Sequence, residues 1–173
     1  MRACIFLNGQ INDYDLIKQK VKNYDLIIVS TANEEWAEKI KYLSKIIPKF
    51  IIEDNIKIGI LNSIISINII IKMIINKQIE INKLKNLSKE QNNIKIKNIK
   101  NIIKSNLYLN YATETTTGEI IEKCKFLKNE KKRDFVIISN ANKIKDFNEE
   151  NKYKFYNELE KLSQQIELTI MII

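Results

Sequence analysis

The groups with which this chain could do chemistry are few and scattered. It has no histidine, so neither a Ser-His-Asp nor a Cys-His nucleophile can be assembled. Asp25, Asp134 and Asp146 are the aspartates that a catalytic carboxylate cluster would draw on. Asp25 and Asp134, however, each stand directly before an apolar run of strand length, and Asp146 falls in a turn, which predicts scaffold roles for all three. Cys4 and Cys124 are too few for a disulfide framework or a zinc site; the reading is two reduced, buried thiols in a cytoplasmic protein. The run KNEKKR over 128–133 offers Lys128, Lys131, Lys132 and Arg133 as contacts for nucleic acid, against the plainer reading of a solvated helix-to-strand turn. Tyr108, Tyr111, Tyr153 and Tyr156 have faces on which bases could stack, but each lies beside core positions. Trp36 keeps helical spacing with Ile40 and Leu43, which suits a core or interface aromatic.

The elements that must position these residues are legible from periodicity. LYL at 107–109 is a short apolar strand, followed by a polar turn at Thr113–Thr117 whose hydroxyls can cap a helix. Glu119 and Glu122 then fall in early turns, where carboxylates suit the positive end of the helix dipole. Ile120, Ile121, Cys124 and Leu127 share one helical face. DFVIIS at 134–139 is a continuous apolar run, the kind buried on both faces of a parallel sheet.

Upstream, residues 3–7 read as a short strand or extended lead-in, 13–21 as a helix bearing Tyr14, Ile17 and Val21, and 24–30 as a strand. A helix is predicted over 33–47, with Asn33 as cap, Glu34 and Glu35 in its first turn and Pro48 just beyond its end. One or two short strands are expected within 50–61 around Glu53-Asp54-Asn55. Helices follow at about 63–76, 79–87 and 91–104. Near the end, 148–166 reads as a long helix with Tyr153, Tyr156, Leu159 and Leu162 or Ser163 inward, and 168–173 as a strand. Strands alternating with helices imply an α/β fold with a mainly parallel central sheet, its strands near 25–30, 57–61, 107–109, 135–139 and 168–173.

The length of 173 residues fits one domain with a full core. Hydrophobic residues at 45% and charged residues at 29% exclude a disordered chain. The formal net charge of +8 suits a polyanion. Against that, Ile, Asn and Lys are abundant together and share AT-rich codons, and only Arg2 and Arg133 supply the planar fork favoured for reading phosphate. The most apolar segment, 58–75, is interrupted by Asn62, Asn68 and Lys72, so it reads as a buried strand and helix rather than a membrane span.

In order and spacing, the chain resembles the C-terminal RecA-like ATPase domain of DnaB-type replicative helicases. The resemblance rests on NGQINDYDLIKQKVKNYDLIIVS (8–30), KIGILNSIISINIIIKMI (57–74), the stretch from LYL to NANKI (107–144) and ELEKLSQQIELTIMII (158–173), and so covers nearly the whole sequence. It implies a RecA-like three-layer fold in one domain spanning 1–173. It also implies where the chemistry should be. A phosphate loop should follow the strand at 24–30, but Trp36, Ala37 and Glu38 stand where its last glycine, its lysine and its Mg²⁺-binding hydroxyl belong. Such a loop needs glycines so that backbone amides can turn onto the phosphates, and no glycine lies between Gly9 and Gly59. The water-activating glutamate falls at Asn62–Ile65, with Ile64 at its position. The Mg²⁺-supporting aspartate falls at Ser139, and the family's following glutamine is matched only loosely by Asn142. The resemblance stops before the segments that carry the family's DNA-contacting loops and arginine finger.

The expectation is therefore a non-catalytic helicase-like module, binding no cofactor or metal and acting through another replication protein, such as a replicative helicase. The alternatives are a Lys-rich nucleic-acid-binding domain without ATPase activity, and an active helicase subunit with a divergent site. No membrane association is expected. A monomer or small oligomer, such as a dimer, is expected instead of a ring, with its contact near the C-terminal strand.

Overall fold

A computed structural model describes residues 5–8, 14–23, 25–30, 36–63, 66–81, 88–111 and 114–173. Six strands, β1 (Ile5–Asn8), β2 (Leu26–Ser30), β3 (Ile58–Leu61), β4 (Leu107–Leu109), β5 (Phe135–Ile138) and β6 (Thr169–Ile172), form one sheet in the order β1-β2-β6-β5-β3-β4. Every neighbouring pair is parallel. Among the described residues six α-helices cover it: α1 (Tyr14–Asn23), α2 (Trp36–Ile52), α3 (Ile67–Ile81), α4 (Lys89–Asn106), α5 (Thr117–Asn129) and α6 (Lys152–Ile166).

Topology explains the layers. The chain steps from β1 to β2 to β3 to β4 in one direction across the sheet and returns through β5 to β6 in the other. Parallel crossovers are right-handed, so reversing direction moves the connecting helices to the opposite face. Accordingly α1–α4 pack in one core with Ile27, Ile58, Ile60, Phe135, Ile137 and Met171. Helices α5 and α6 pack in the other, with Leu26, Ile28, Leu61, Val136, Ile138 and Ile170. The two sets alternate along β2, β3, β5 and β6, as a pleat buried on both faces requires. This is the three-layer α/β architecture of the RecA-like kind that the sequence predicts.

Gly59 is the close approach in this packing. A Cβ there would stand 2.6 Å from Cδ1 of Leu127 on α5, so any larger residue would force the Leu127 side chain to move.

Several boundaries differ from the sequence reading. Pro48 does not end α2; it lies inside the helix, which continues to Ile52. A proline in a helix interior costs about 3 kcal/mol. The residues beyond it offset that cost, because Phe50 and Ile51 are fully buried, each contributing about 1.5–3 kcal/mol. Phe50 also meets the Phe135 ring edge-on at 5.4 Å. Residues 50–52 are thus helix rather than strand, and the chain turns out through Asn55 in the left-handed region (φ 53°). Helix α3 runs on to Ile81, so the start of the helix expected over 79–87 belongs to it; residues 82–87 lie outside the described residues. Helix α6 starts at Lys152, and Phe155 rather than Tyr153 points inward: Phe155 is 2% exposed and Tyr153 64%. The final strand is not an edge. β6 sits between β2 and β5 with Ile170, Met171 and Ile172 buried, so it offers no free strand for the association expected there. Among the described residues, no helix is long and apolar enough to cross a membrane.

Candidate functional site

In an open parallel sheet, ligands bind outside the carboxyl ends of strands where neighbouring connections leave to opposite faces. Here that place is the end of β3. Its chain departs to the α3 face, while the strands beside it, β5 and β4, lead to α6 and α5 on the other face. The residues at this point are Asn62, Ser139 and Thr115.

Each is held by the local fold. Asn62 follows β3 with φ 51°, a left-handed conformation that asparagine tolerates better than most residues. The turn is fixed by bonds with the residue after β4: Asn110 N–H donates to the Ile60 carbonyl at 2.9 Å, and Ser63 N–H to the Asn110 carbonyl at 2.9 Å. Ser139 extends β5, its N–H donating to the Leu61 carbonyl at 3.1 Å. Thr115 forms a single parallel bridge with Ile144, in which Lys145 N–H donates to the Thr115 carbonyl at 2.7 Å.

Asn62 is bonded to both of the others, to Thr115 by its side chain and to Ser139 by its main-chain carbonyl. Asn62 Nδ2 donates to Thr115 Oγ1 at 3.0 Å, with a longer return contact from Thr115 Oγ1 to Asn62 Oδ1 at 3.4 Å. Ser139 Oγ donates to the Asn62 carbonyl at 2.8 Å. All three residues are buried, Ser139 completely. The network is neutral: a carboxamide has no basicity with which to activate water, and a hydroxyl spent on a carbonyl adds no negative charge for a cation.

The nearby start of α5 is also closed. Thr116 and Glu119 form a reciprocal capping box, Glu119 N–H donating to Thr116 Oγ1 at 3.3 Å and Thr116 N–H to Glu119 Oε2 at 2.8 Å. Asp146 takes the next donor, Thr117 N–H, at 2.8 Å. Two carboxylates thus occupy the first amides of α5, so this helix end presents no open anion site. Between this end and α6 lies a pocket of about 120 Å³ lined by Thr117, Asp146, Asn151, Lys154, Phe155 and Glu158. That is room for a few waters, below the ~300–1,000 Å³ of typical ligand pockets.

The structure brings together only some of the residues singled out in the sequence. Ser139 meets Asn62 directly, whereas Ile64 lies outside the described residues. Trp36, Ala37 and Glu38 form the first turn of α2, and their side chains lie outside the described residues, as do residues 31–35. Asn142 falls in a 3-10 turn, Ala141–Lys143. The aspartates do not converge: Asp25 and Asp134 precede β2 and β5 at the amino ends of the strands, and Asp146 lies at the carboxyl end. Cys124 is buried, and desolvation raises its thiol to about 12, which keeps it protonated and inert; Cys4 is outside the described residues.

The basic run divides. Arg133 is 7% exposed, and its guanidinium donates to the Ser105 carbonyl at the end of α4, at 2.7 Å. Desolvation lowers its pKa, partly offset by Asp134. Lys128 Nζ donates to the Glu167 carbonyl at 2.7 Å. Lys131 and Lys132 remain exposed, Lys131 lying 5.3 Å from the Phe126 ring. Of the tyrosines, Tyr108 stacks edge-on with Phe126 at 6.1 Å, and Tyr111 accepts from Ile67 N–H at 2.6 Å through its hydroxyl.

The Asn62–Thr115 pair escapes a sequence reading because 53 residues separate its members; the polar break NS at the end of an apolar strand is the only signal. No known family pattern matches the chain, and no curated protein matches it.

Proposed function

We propose that this chain is a non-catalytic RecA-like module of the DnaB-helicase type, which serves a DNA transaction by binding another replication protein and not by turning over ATP. One observation carries the reading: at the carboxyl ends of β3 and β5, buried Asn62 is hydrogen-bonded to Thr115 through its carboxamide and to Ser139 through its main-chain carbonyl. The helicase resemblance places a water-activating glutamate and a Mg²⁺-supporting aspartate at those strand ends. Neither a general base nor a charge for the metal is present in this triad, and its polar atoms face one another. A RecA-like domain without that machinery retains its surfaces, and surfaces are what a partner binds.

The test is co-elution of the purified chain with the replicative helicase of its own source, with and without Mg²⁺-ATP. The reading expects a complex that survives omission of nucleotide. Separate elution in both conditions, together with ATP hydrolysis by the chain alone, would overturn it.

A further inference from the structure

We infer that the exposed lysine stripe of α4 binds the phosphodiester backbone of nucleic acid. This second site is independent of the partner binding proposed above.

Lysines are about equally dense in the helices of the two layers, but carboxylates are sparser in the α1–α4 layer, which leaves it the more basic. The α1–α4 layer carries fourteen lysines against four carboxylates within its helices, and the α5–α6 layer six against four. Within the basic layer, α4 is the most one-sided, with five lysines and the single acidic residue Glu90. Lys18, Lys20, Lys22, Lys45 and Lys49 on α1 and α2 have partners. Lys95, Lys97, Lys100 and Lys104 of α4 are exposed and form no ion pair with any described residue.

Their spacing makes a line. A narrow stripe of α4 is buried, through Ile99, Ile103 and Asn106. Asn93, Lys97, Lys100 and Lys104 follow at i, i+4, i+7 and i+11 on one flank, so the three ammonium groups rise along about 10 Å of helix. Like charges at these intervals repel by a few tenths of a kcal/mol per pair in an isolated helix, a local cost that a polyanion would reverse. Arg133, through its bond to the Ser105 carbonyl, fixes the loop carrying exposed Lys131 and Lys132 beside the last turn of α4. Glu130 and Asp134 flank that loop, so it extends the stripe only weakly.

The chemistry fits phosphate backbone better than other polyanionic partners. Lysines are point charges without arginine's fork, and Arg133 beside the stripe is buried, which suits sequence-independent contact. Exposed Gln91, Asn93, Asn98 and Asn101 add neutral donors of the kind that meet phosphate and sugar oxygens. The exposed apolar residues of α4, Ile94 and Ile102, stand about two turns apart and form no continuous stripe for a membrane or an amphipathic peptide.

The experiment is fluorescence anisotropy of labelled single-stranded DNA, single-stranded RNA and duplex DNA with the full chain, over a salt series. The triple variant Lys97→Gln, Lys100→Gln, Lys104→Gln is compared with a charge-matched control on α6, Lys152→Gln, Lys154→Gln, Lys161→Gln. The inference expects binding to at least one nucleic acid. The α4 variant should lower affinity at least about tenfold at low salt and reduce the slope of log K against log salt by about two to three. The control should retain most of both. The relative affinities of the three nucleic acids identify the natural form. Absence of binding to all three, an equal loss in the α6 control, or equally tight binding to poly-glutamate or to phosphatidylserine vesicles overturns the assignment.

Discussion

Replacing Ser139 with aspartate restores the residue type that the helicase resemblance places at the end of β5, and the structure says what must follow. Ser139 is fully buried, and its hydroxyl donates to the Asn62 carbonyl at 2.8 Å. Removing that donor in Ser139→Ala leaves a buried acceptor unsatisfied, at a cost of about 1–3 kcal/mol. Ser139→Asp is worse at neutral pH, because an ionised carboxylate is an acceptor facing an acceptor. An uncompensated buried charge costs about 3–5 kcal/mol, and the larger side chain adds overpacking. The carboxyl escapes the charge penalty only by staying protonated, so its folded pKa rises above the unfolded value of about 3.9. A raised folded pKa means that the acid form's contribution is fully present below about pH 4 and is lost as pH climbs through the folded value. The stability gap between Ser139→Asp and wild type should therefore widen by about 1.4 kcal/mol per pH unit above pH 4, until the folded pKa is passed. Urea unfolding followed by circular dichroism, in parallel with wild type at acidic and at mildly alkaline pH, measures this gap. A variant as stable as wild type at both pH values would mean a solvated carboxylate and an open crevice, and the closure argument would fail.

Two further perturbations address the scaffold. Gly59→Ala drives a methyl to 2.6 Å from Leu127 Cδ1 and should cost about 1–3 kcal/mol; Leu127→Ala alone should cost about 2–5 kcal/mol. The double variant should lose less than the sum, and strict additivity in denaturant titrations would place α5 elsewhere than on β3. Cys124 has its thiol raised by burial from 9.0 to about 12, so the stability that its neutral form contributes is present below pH 9 and lost as pH rises towards 12. Wild type should lose stability in that window more steeply than Cys124→Ala, by on the order of 1.4 kcal/mol per pH unit, and parallel curves would contradict the burial.

The sheet was the legible part, because strands buried on both faces advertise themselves: IGIL, FVII and TIMI are continuous apolar runs, and all three are buried along their length. The start of α5 was equally readable, since Thr116 and Glu119 carry the capping box in their spacing. Boundaries decided by packing were not. Pro48 reads as a terminator in one dimension, and only the burial of Phe50 and Ile51 carries α2 past it. Tyr153 and Phe155 differ by two positions, and small-scale helical phase cannot separate two large aromatics. The place of β6 within the sheet depends on a reversal of crossover direction, which no local pattern encodes. The site divided in the same way. Ser139 was identifiable from its position after FVII, whereas its partner Thr115 lies across the sheet end in a threonine-rich turn. Arg133 belonged to a basic run by composition, yet its side chain turns inward to the last turn of α4.

Titration calorimetry with ATP and Mg²⁺ tests the proposal most directly, that the carboxyl end of this sheet is closed scaffold and not a nucleotide site. With Asn62 bonded to both Thr115 and Ser139, and the first amides of α5 held by Glu119 and Asp146, the account predicts no saturable heat up to millimolar nucleotide. Saturable binding in the millimolar range or tighter that weakens on Ser139→Asp would contradict it, because the nucleotide would then be occupying the crevice that these residues are argued to close.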